Sequence, residues 1–441
     1  MIRTANAPLP EVQPKFIGLT DQVRLCHLPM HHCKGNYLSL RFLIPLGEMT
    51  STFALLPYVL SRGSTHYPDL DAIDRAADLL YGAEITPMVG SEGEWQVIGF
   101  SASFLADRMA PDGCQILDGV LHLLSSLLLS PRTEGANLLP EFVESEKVKL
   151  CDRLRSLKDN PDLYAIKRSE ELMCAGEAYA HYERGEESEV EKVTPEALTA
   201  AWQTLLQSAP LVITYAGDCP LEQLAALLKS YFGRLSATPA PLPPTNVIRK
   251  ASGKVRRFTE KLPNGQCQLI LGLRSGSVIG DPDHAAFSLL FAMLSSSPTA
   301  RLFTKVREER SLCYSCNALS DSHKGILLIT CGLRRQRLKE AEDAILEQLN
   351  ALATGDFSEE EFTSAKRWLM GRYPILEDSP IALSGWYFGR SPFGIADSPE
   401  KEAEHISLVT RADVMRAAER LSLDSVYILL DRSPDRKEVA E

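Results

Sequence analysis

The chain has 441 residues, 44% of them hydrophobic, which is enough for a large core and by length suggests two to four domains. Its formal net charge of -11 argues against a general nucleic-acid binder. No apolar run is long enough to span a membrane, since the best of them, Gly119 to Leu129, contains His122, Ser125 and Ser126 and fits a buried helix.

The first sixteen residues are proline-rich and polar and lack the apolar centre of a signal peptide. Ten cysteines are scattered along the chain, several of them in apolar segments (Cys151, Cys267, Cys331). They read as reduced, mostly buried thiols of a cytoplasmic protein, with no Cys-x-x-Cys pair counted among them. Residues 16–46 read as two strands joined by a turn that carries Cys26, His27, His31, His32 and Cys33. Two thiols and nearby histidines are zinc-type ligands, but their spacing matches no structural zinc pattern, so a polar loop is expected there. A buried helix capped by Ser or Thr follows at 50–63, with Pro57 near its first turn or at a kink. An amphipathic helix follows at 69–81, with Leu70, Ile73, Ala77 and Leu80 as its inner stripe. A strand pair at 82–104 turns at residues 91–94. Helices are expected at 111–129, 139–157 and 162–183. Thr194 caps another, and a buried strand at 211–218 and a helix at 221–231 complete the series.

Ser236 to Asn246 is rich in proline and reads as a semi-rigid linker. The expected organisation is a first half at 1–235, a linker at 236–252 and a second half at 253–441. After the linker the order restarts: a strand at 266–273, a buried helix at 281–294 and a helix at 301–310. Strands at 314–319 and 325–333, helices at 336–353 and 358–372, a Thr410-capped helix and a strand at 425–430 complete it. The segment around Phe53 resembles that around Phe287, Tyr81 falls where Tyr314 does, and Val193-Thr194 where Val409-Thr410 does, so the chain reads as an internal repeat. Two such halves on a proline hinge are expected to face each other across a cleft, a preferred place for ligands. Arg307, on the helix, and Tyr314, on the strand seven residues later, can be brought together over such a cleft. There a guanidinium and a phenol would offer donors to carbonyl oxygens.

With the repeat in view, the chain resembles the pitrilysin/insulinase family of metallopeptidases over nearly its whole length. The resemblance implies an α+β fold of two homologous halves, each a mainly antiparallel sheet with helices packed on it. Active members carry His-x-x-Glu-His on the first helix of the first half, where two histidines bind zinc and the glutamate activates water. Aligned on Arg62-Gly63, those positions fall on Ala54, Pro57 and Tyr58. The third ligand, aligned on Asp159-Asn-Pro161, falls on Arg153, with Glu146 at the motif's first acidic position. Glu144, Glu146 and Asp152 read as a solvated face. The chain itself is therefore expected to bind no metal. In the second half, by contrast, the family's arginine–tyrosine pair is matched by Arg307 and Tyr314, with Ser311 where the family form usually has glycine. Arg301 matches a common family residue and reads as structural support. The first-half segments Ala54 to Leu60, Tyr67-Pro-Asp and Leu80-Tyr-Gly-Ala83 resemble the YmfF-like group, whose members lack the zinc motif. That group's label links it to modification of translation elongation factor P.

The resemblance thus implies a non-catalytic subunit that grips an extended peptide and works with a zinc-bearing homologue, as a heterodimer or, failing that, a homodimer. The alternative is a scaffold with no part in proteolysis. The remaining histidines, His66, His181, His284, His323 and His405, are dispersed and suggest no further catalytic set.

Overall fold

The computed structural model describes residues 12–263, 266–391 and 394–431. The strands are β1 (Lys15–Gly18), β2 (Val23–Pro29), β3 (Gly35–Pro45), β4 (Glu84–Glu92), β5 (Trp95–Leu105), the short hairpin β6 (Thr133–Glu134) and β7 (Asn137–Leu138), and β8 (Leu211–Gly217). In the second half they are β9 (Arg256–Leu262), β10 (Cys267–Arg274), β11 (Ser315–Asp321), β12 (Ile326–Leu333) and β13 (Ser422–Asp431).

The first sheet runs β1-β2-β8-β3-β5-β4 and the second β11-β12-β10-β13-β9. Read from β4, the first has the same order as the second with β1 added at its far edge. In both, the pairings are antiparallel except one: β2 with β8, and β9 with β13, are parallel. Sequence patterning misses β9. Arg256, Arg257, Glu260 and Lys261 dilute its apolar signal, and it survives as an edge strand with alternating half-buried and exposed residues.

Each sheet is covered on both faces, and one cover comes from the other half. On the second sheet, Leu269, Leu271, Leu327 and Ile329 face that half's own helices. The alternate residues Ile270, Ile326, Leu328, Tyr427 and Leu429 pack on Ala165, Met173 and Cys174 from the first half's helix Pro161–Met173 and its end. On the first sheet, Leu25, Leu40, Phe42 and Ile213 face inward to its own helices. Their neighbours Cys26, Leu28 and Ala216 meet Leu383 and Tyr387, while Leu43, Val97 and Val212 meet Phe388. Those residues belong to the helix Pro380–Arg390, which the sequence reading does not anticipate. Burial on both faces explains why β8, β10 and β12 read as near-continuous apolar runs.

Several local expectations are corrected. The helix Thr50–Leu60 has no side-chain cap, and Pro57 lies well inside it rather than in its first turn. The helix expected at 162–183 ends at Met173, and Gly176 takes a φ of 87° that breaks it, with a single 3-10 turn at Ala178–Ala180 beyond. Of the stripe expected on Leu70–Leu79, only Ile73 is buried, and Leu70 is exposed.

The linker is held from both sides. Trp95 Nε1 donates to the Pro243 carbonyl (2.7 Å), and the Asn246 N–H donates to Glu94 (3.0 Å). Lys324 Nζ donates to the Asn246 carbonyl (2.6 Å). A cavity of about 1020 Å³ opens beneath it, lined in part by Phe16, Arg24, Leu43, Pro241 and Val278. Among the described residues, no helix is long and apolar enough to cross a membrane.

Candidate functional site

The helices Thr50–Leu60 and Pro140–Ser156 pack against each other and carry the positions that the family alignment assigns to zinc. Ala54 is fully buried and offers no donor. Pro57 has no side-chain donor either. The Arg153 guanidinium lies over the Tyr58 ring, 4.6 Å from its centre, so the two side chains stack on each other. Glu146 is not on a solvated face as expected. Its side chain is only 6% exposed, with Lys149 Nζ at 2.6 Å and Arg62 Nε at 3.6 Å. Glu144 and Asp152 do lie at the surface, in pairs with Lys147 and Arg155. Zinc takes three or four nitrogen, oxygen or sulfur donors. Here one carboxylate is already held by two cations, and a third cation covers the only ring, so these residues do not fit a zinc ion.

The turn with Cys26, His27, His31, His32 and Cys33 does not form a ligand set either. His27 sits in β2, stacked on Tyr215, with Nε2 2.9 Å from the Cys219 carbonyl, and burial lowers its pKa. His32 and Cys33 reach instead to the backbone of Glu377 and Asp378 in the second half.

The Arg307 segment differs from the helix expected at 301–310. Leu302–Glu308 is a π-helix, with Glu309 N–H bonded to the Thr304 carbonyl five residues back. Such wide turns recur at functional sites. Leu302 and Val306 anchor it in the core, and Arg301 holds its base through Glu361 (3.0 Å), Gln348 (3.2 Å) and the Asp356 carbonyl (2.7 Å). The Arg307 side chain is 44% exposed, lies 5.2 Å from the Phe303 ring centre and has Glu308 at 3.6 Å. The chain then turns through Ser311, whose φ of 49° is in the left-handed region. Tyr314 precedes β11, with its N–H bonded to the Gly332 carbonyl and 55% of the residue exposed.

The Tyr314 hydroxyl accepts a hydrogen bond from Arg334 Nε at 2.9 Å. Arg334, just past the end of β12, is a residue that sequence reasoning missed. A phenol oxygen that accepts from a guanidinium keeps its own proton for another acceptor.

The thiols also hold a surprise. Cys313, Cys316 and Cys331 place their sulfur atoms within 4.8 Å of one another, the only such group of ligand-type side chains among the described residues. The expectation of no Cys-x-x-Cys pair is corrected, because Cys313-Tyr-Ser-Cys316 is one and the signal was in the sequence. Hydrogen bonds from the Cys316 and Cys331 thiols, aided by the nearby Arg307 charge, lower the pKa of Cys313 despite its burial.

A family model described as the peptidase M16 inactive domain matches residues 192–369. The protein named probable inactive metalloprotease YmfF, from Bacillus subtilis (strain 168), is 27% identical over 420 residues, covering 95% of this chain and 97% of that one. An uncharacterized zinc protease of Mycobacterium tuberculosis, Rv2782c, is 29% identical over 217 residues, 48% of this chain and 49% of its own. Among solved structures, a conserved protein from Enterococcus faecalis V583 aligns with a TM-score of 0.88 at 20% identity, over 96% of this chain and all of that one. A peptidase M16 inactive domain from Pseudomonas fluorescens aligns with a TM-score of 0.78 at 19% identity, over 97% of this chain and 99% of that one. At these identities the structural matches speak for the two-half fold.

Proposed function

Because the chain belongs to the pitrilysin/insulinase-like metallopeptidases as an inactive-site member, we propose that it is the non-catalytic subunit of a zinc peptidase, pairing with a zinc-bearing homologue. In this reading the partner holds the metal and this chain holds the peptide. Arg307 donates to a backbone carbonyl of the extended substrate. Tyr314 donates its proton to the oxygen that gains charge when the scissile carbonyl is attacked. Arg334 keeps the phenol turned to that task. The substrate is a peptide in extended form, added along a sheet edge.

One observation carries the reading. The first-half site is filled by its own cations, while the second-half tyrosine stands exposed with its oxygen held by Arg334 and its proton free to donate. A decayed scaffold has no need of the second arrangement.

The test is to combine the chain with a zinc-bearing homologue and follow peptide cleavage, with assembly measured separately by size. Tyr314→Phe is expected to lower turnover roughly 100-fold, the usual cost of losing one such donor, with assembly intact. Arg307→Ala is expected to act mainly through substrate affinity. Unchanged cleavage in both variants sinks the proposal in favour of a scaffold.

A further inference from the structure

Three thiols converge where β11 begins. Cys316 and Cys331 are direct partners on the antiparallel strands β11 and β12 and point to the same face, toward the helices of the second half. Cys331 is fully buried and Cys316 4% exposed. Cys313 comes from outside the sheet, from the turn after the π-helix, and is only partly buried. All three are free thiols.

A buried cysteine is often no more than a small apolar side chain. Two facing thiols on paired strands would fit that description. The third does not, because it closes a triangle from a separate segment, and its carrier turn is bent through the left-handed Ser311 to do so. Metal–sulfur bonds of about 2.3 Å place three sulfurs around one ion roughly 4 Å apart. The sulfurs here are within 4.8 Å of one another.

Among the described residues, no histidine, aspartate or glutamate joins the group. A structural zinc site is closed by four ligands. Three soft sulfurs in an apolar pocket with no fourth donor match a cation that is content with three, and thiolate sets of this kind select copper(I). We propose that Cys313, Cys316 and Cys331 form a three-coordinate thiolate site for a soft monovalent cation of the copper(I) class.

Each thiol gives up its proton as its bond to the metal forms, so binding releases protons to solvent and no electron changes hands. Three thiolates and one monovalent ion leave a net charge of -2. The guanidinium of Arg307, on the preceding turn, is placed to offset part of it. The half-buried Cys313 is the point of entry. The neighbouring Tyr314 and Arg307 would be fixed by a filled site, but the site itself stands apart from any peptidase role.

The experiment uses the full chain, reduced and free of oxygen, titrated with copper(I) in competition with a chromophoric copper(I) chelator. One equivalent per chain is expected to be retained, with three sulfur neighbours in X-ray absorption. Cys313→Ala, which leaves the buried pair and the core in place, is expected to lose that equivalent, and so is Cys331→Ala if its circular dichroism stays native. Cys219→Ser, far from the cluster, is expected to keep it. Retention that survives Cys313→Ala overturns the proposal. So does failure of the wild-type chain to retain copper(I), and so does tighter retention of zinc than of copper(I) by the same thiols.

Discussion

The Arg153 guanidinium lies over the Tyr58 ring, 4.6 Å from its centre, with each side chain standing at a position that the family alignment assigns to a zinc ligand. Together with Arg62 and Lys149, both paired with Glu146, it makes this corner of the molecule cationic. Grafting ligands alone should therefore fail. The triple variant Ala54→His, Pro57→Glu, Tyr58→His is expected to hold less than a tenth of an equivalent of zinc by elemental analysis. Adding Arg153→Glu supplies the third protein ligand beside the two histidines and removes the repulsion, and is expected to raise the content toward one. Full occupancy in the triple variant would show that Arg153 does not oppose the ion.

The halves are joined by charge as well as by exchanged helices. Lys324, with 0% of its side chain exposed, is 2.6 Å from Glu94 and 2.6 Å from Glu177, both in the first half. Glu177 also takes a hydrogen bond from Arg274 at 2.8 Å, and Arg274 in turn binds Asp424 at 2.8 Å. Removing the ammonium leaves carboxylates buried against each other. Lys324→Met is expected to cost about 3–5 kcal/mol in urea unfolding. Glu94→Gln added to it is expected to recover part of the loss, because the two residues share one contact.

The same network sets an acid limit. Burial acts to raise the Glu177 pKa, but hydrogen bonds from Arg274 and Lys324 outweigh it and hold the carboxyl below its usual 4.5. A depressed folded pKa gives stability that is complete above the unfolded value and lost as pH falls through the folded one. The wild-type urea midpoint is expected to fall below pH 4.5, and less steeply in Glu177→Gln. Equal slopes would deny Glu177 this role.

His323 works in the opposite direction. Its Nδ1 is 2.9 Å from the Glu92 carboxylate and its Nε2 2.6 Å from the Gly389 carbonyl. Both partners accept only, so the ring satisfies them by carrying two protons. Burial acts to lower its pKa, but the bond and charge of Glu92 outweigh it and raise it above 6.5. The contribution is then complete below 6.5 and is lost as pH rises through the folded value. Thermal unfolding is expected to move down in temperature over that range in wild type, and to be flat there in His323→Gln. Glu92 and Gly389 lie in different halves, so the loss should appear first as loosening of the helix Pro380–Arg390.

How much of this was legible beforehand depends on where each signal resides. Two-sided burial made β8, β10 and β12 stand out as apolar runs, and Thr194 and Thr410 announced their helices through their caps. The helices Pro380–Arg390 and Pro399–Leu408 carry the same kind of signal, Ser379-Pro and Ser398-Pro, and could have been read. What could not be read is that Tyr387 and Phe388 are core residues of the other half, since no local pattern says which sheet a helix will cover. The π-turn at Leu302–Glu308 was equally hidden. Its residues fit an ordinary helix, and nothing in their pattern marks the wider turn. Arg334 was missed because nothing in its own neighbourhood points to Tyr314, twenty residues earlier.

Ser311 shows how a single residue can carry strain into this region. With a φ of 49° it holds a conformation that costs an L-residue with a side chain about 1–2 kcal/mol, and glycine nothing. The turn cannot relax cheaply, because Leu312 is buried in the core and Tyr314 is already bonded to β12. Ser311→Gly therefore removes the folded-state penalty. The greater freedom of glycine in the unfolded chain returns part of the gain. The net expectation is a stabilisation of about 0.5–1 kcal/mol in urea unfolding. Ser311→Val, branched at Cβ, is expected to move the other way by a larger amount. A Ser311→Gly variant that unfolds earlier than wild type would mean that the hydroxyl, 3.5 Å from the Glu308 carbonyl, contributes more than the backbone strain takes away.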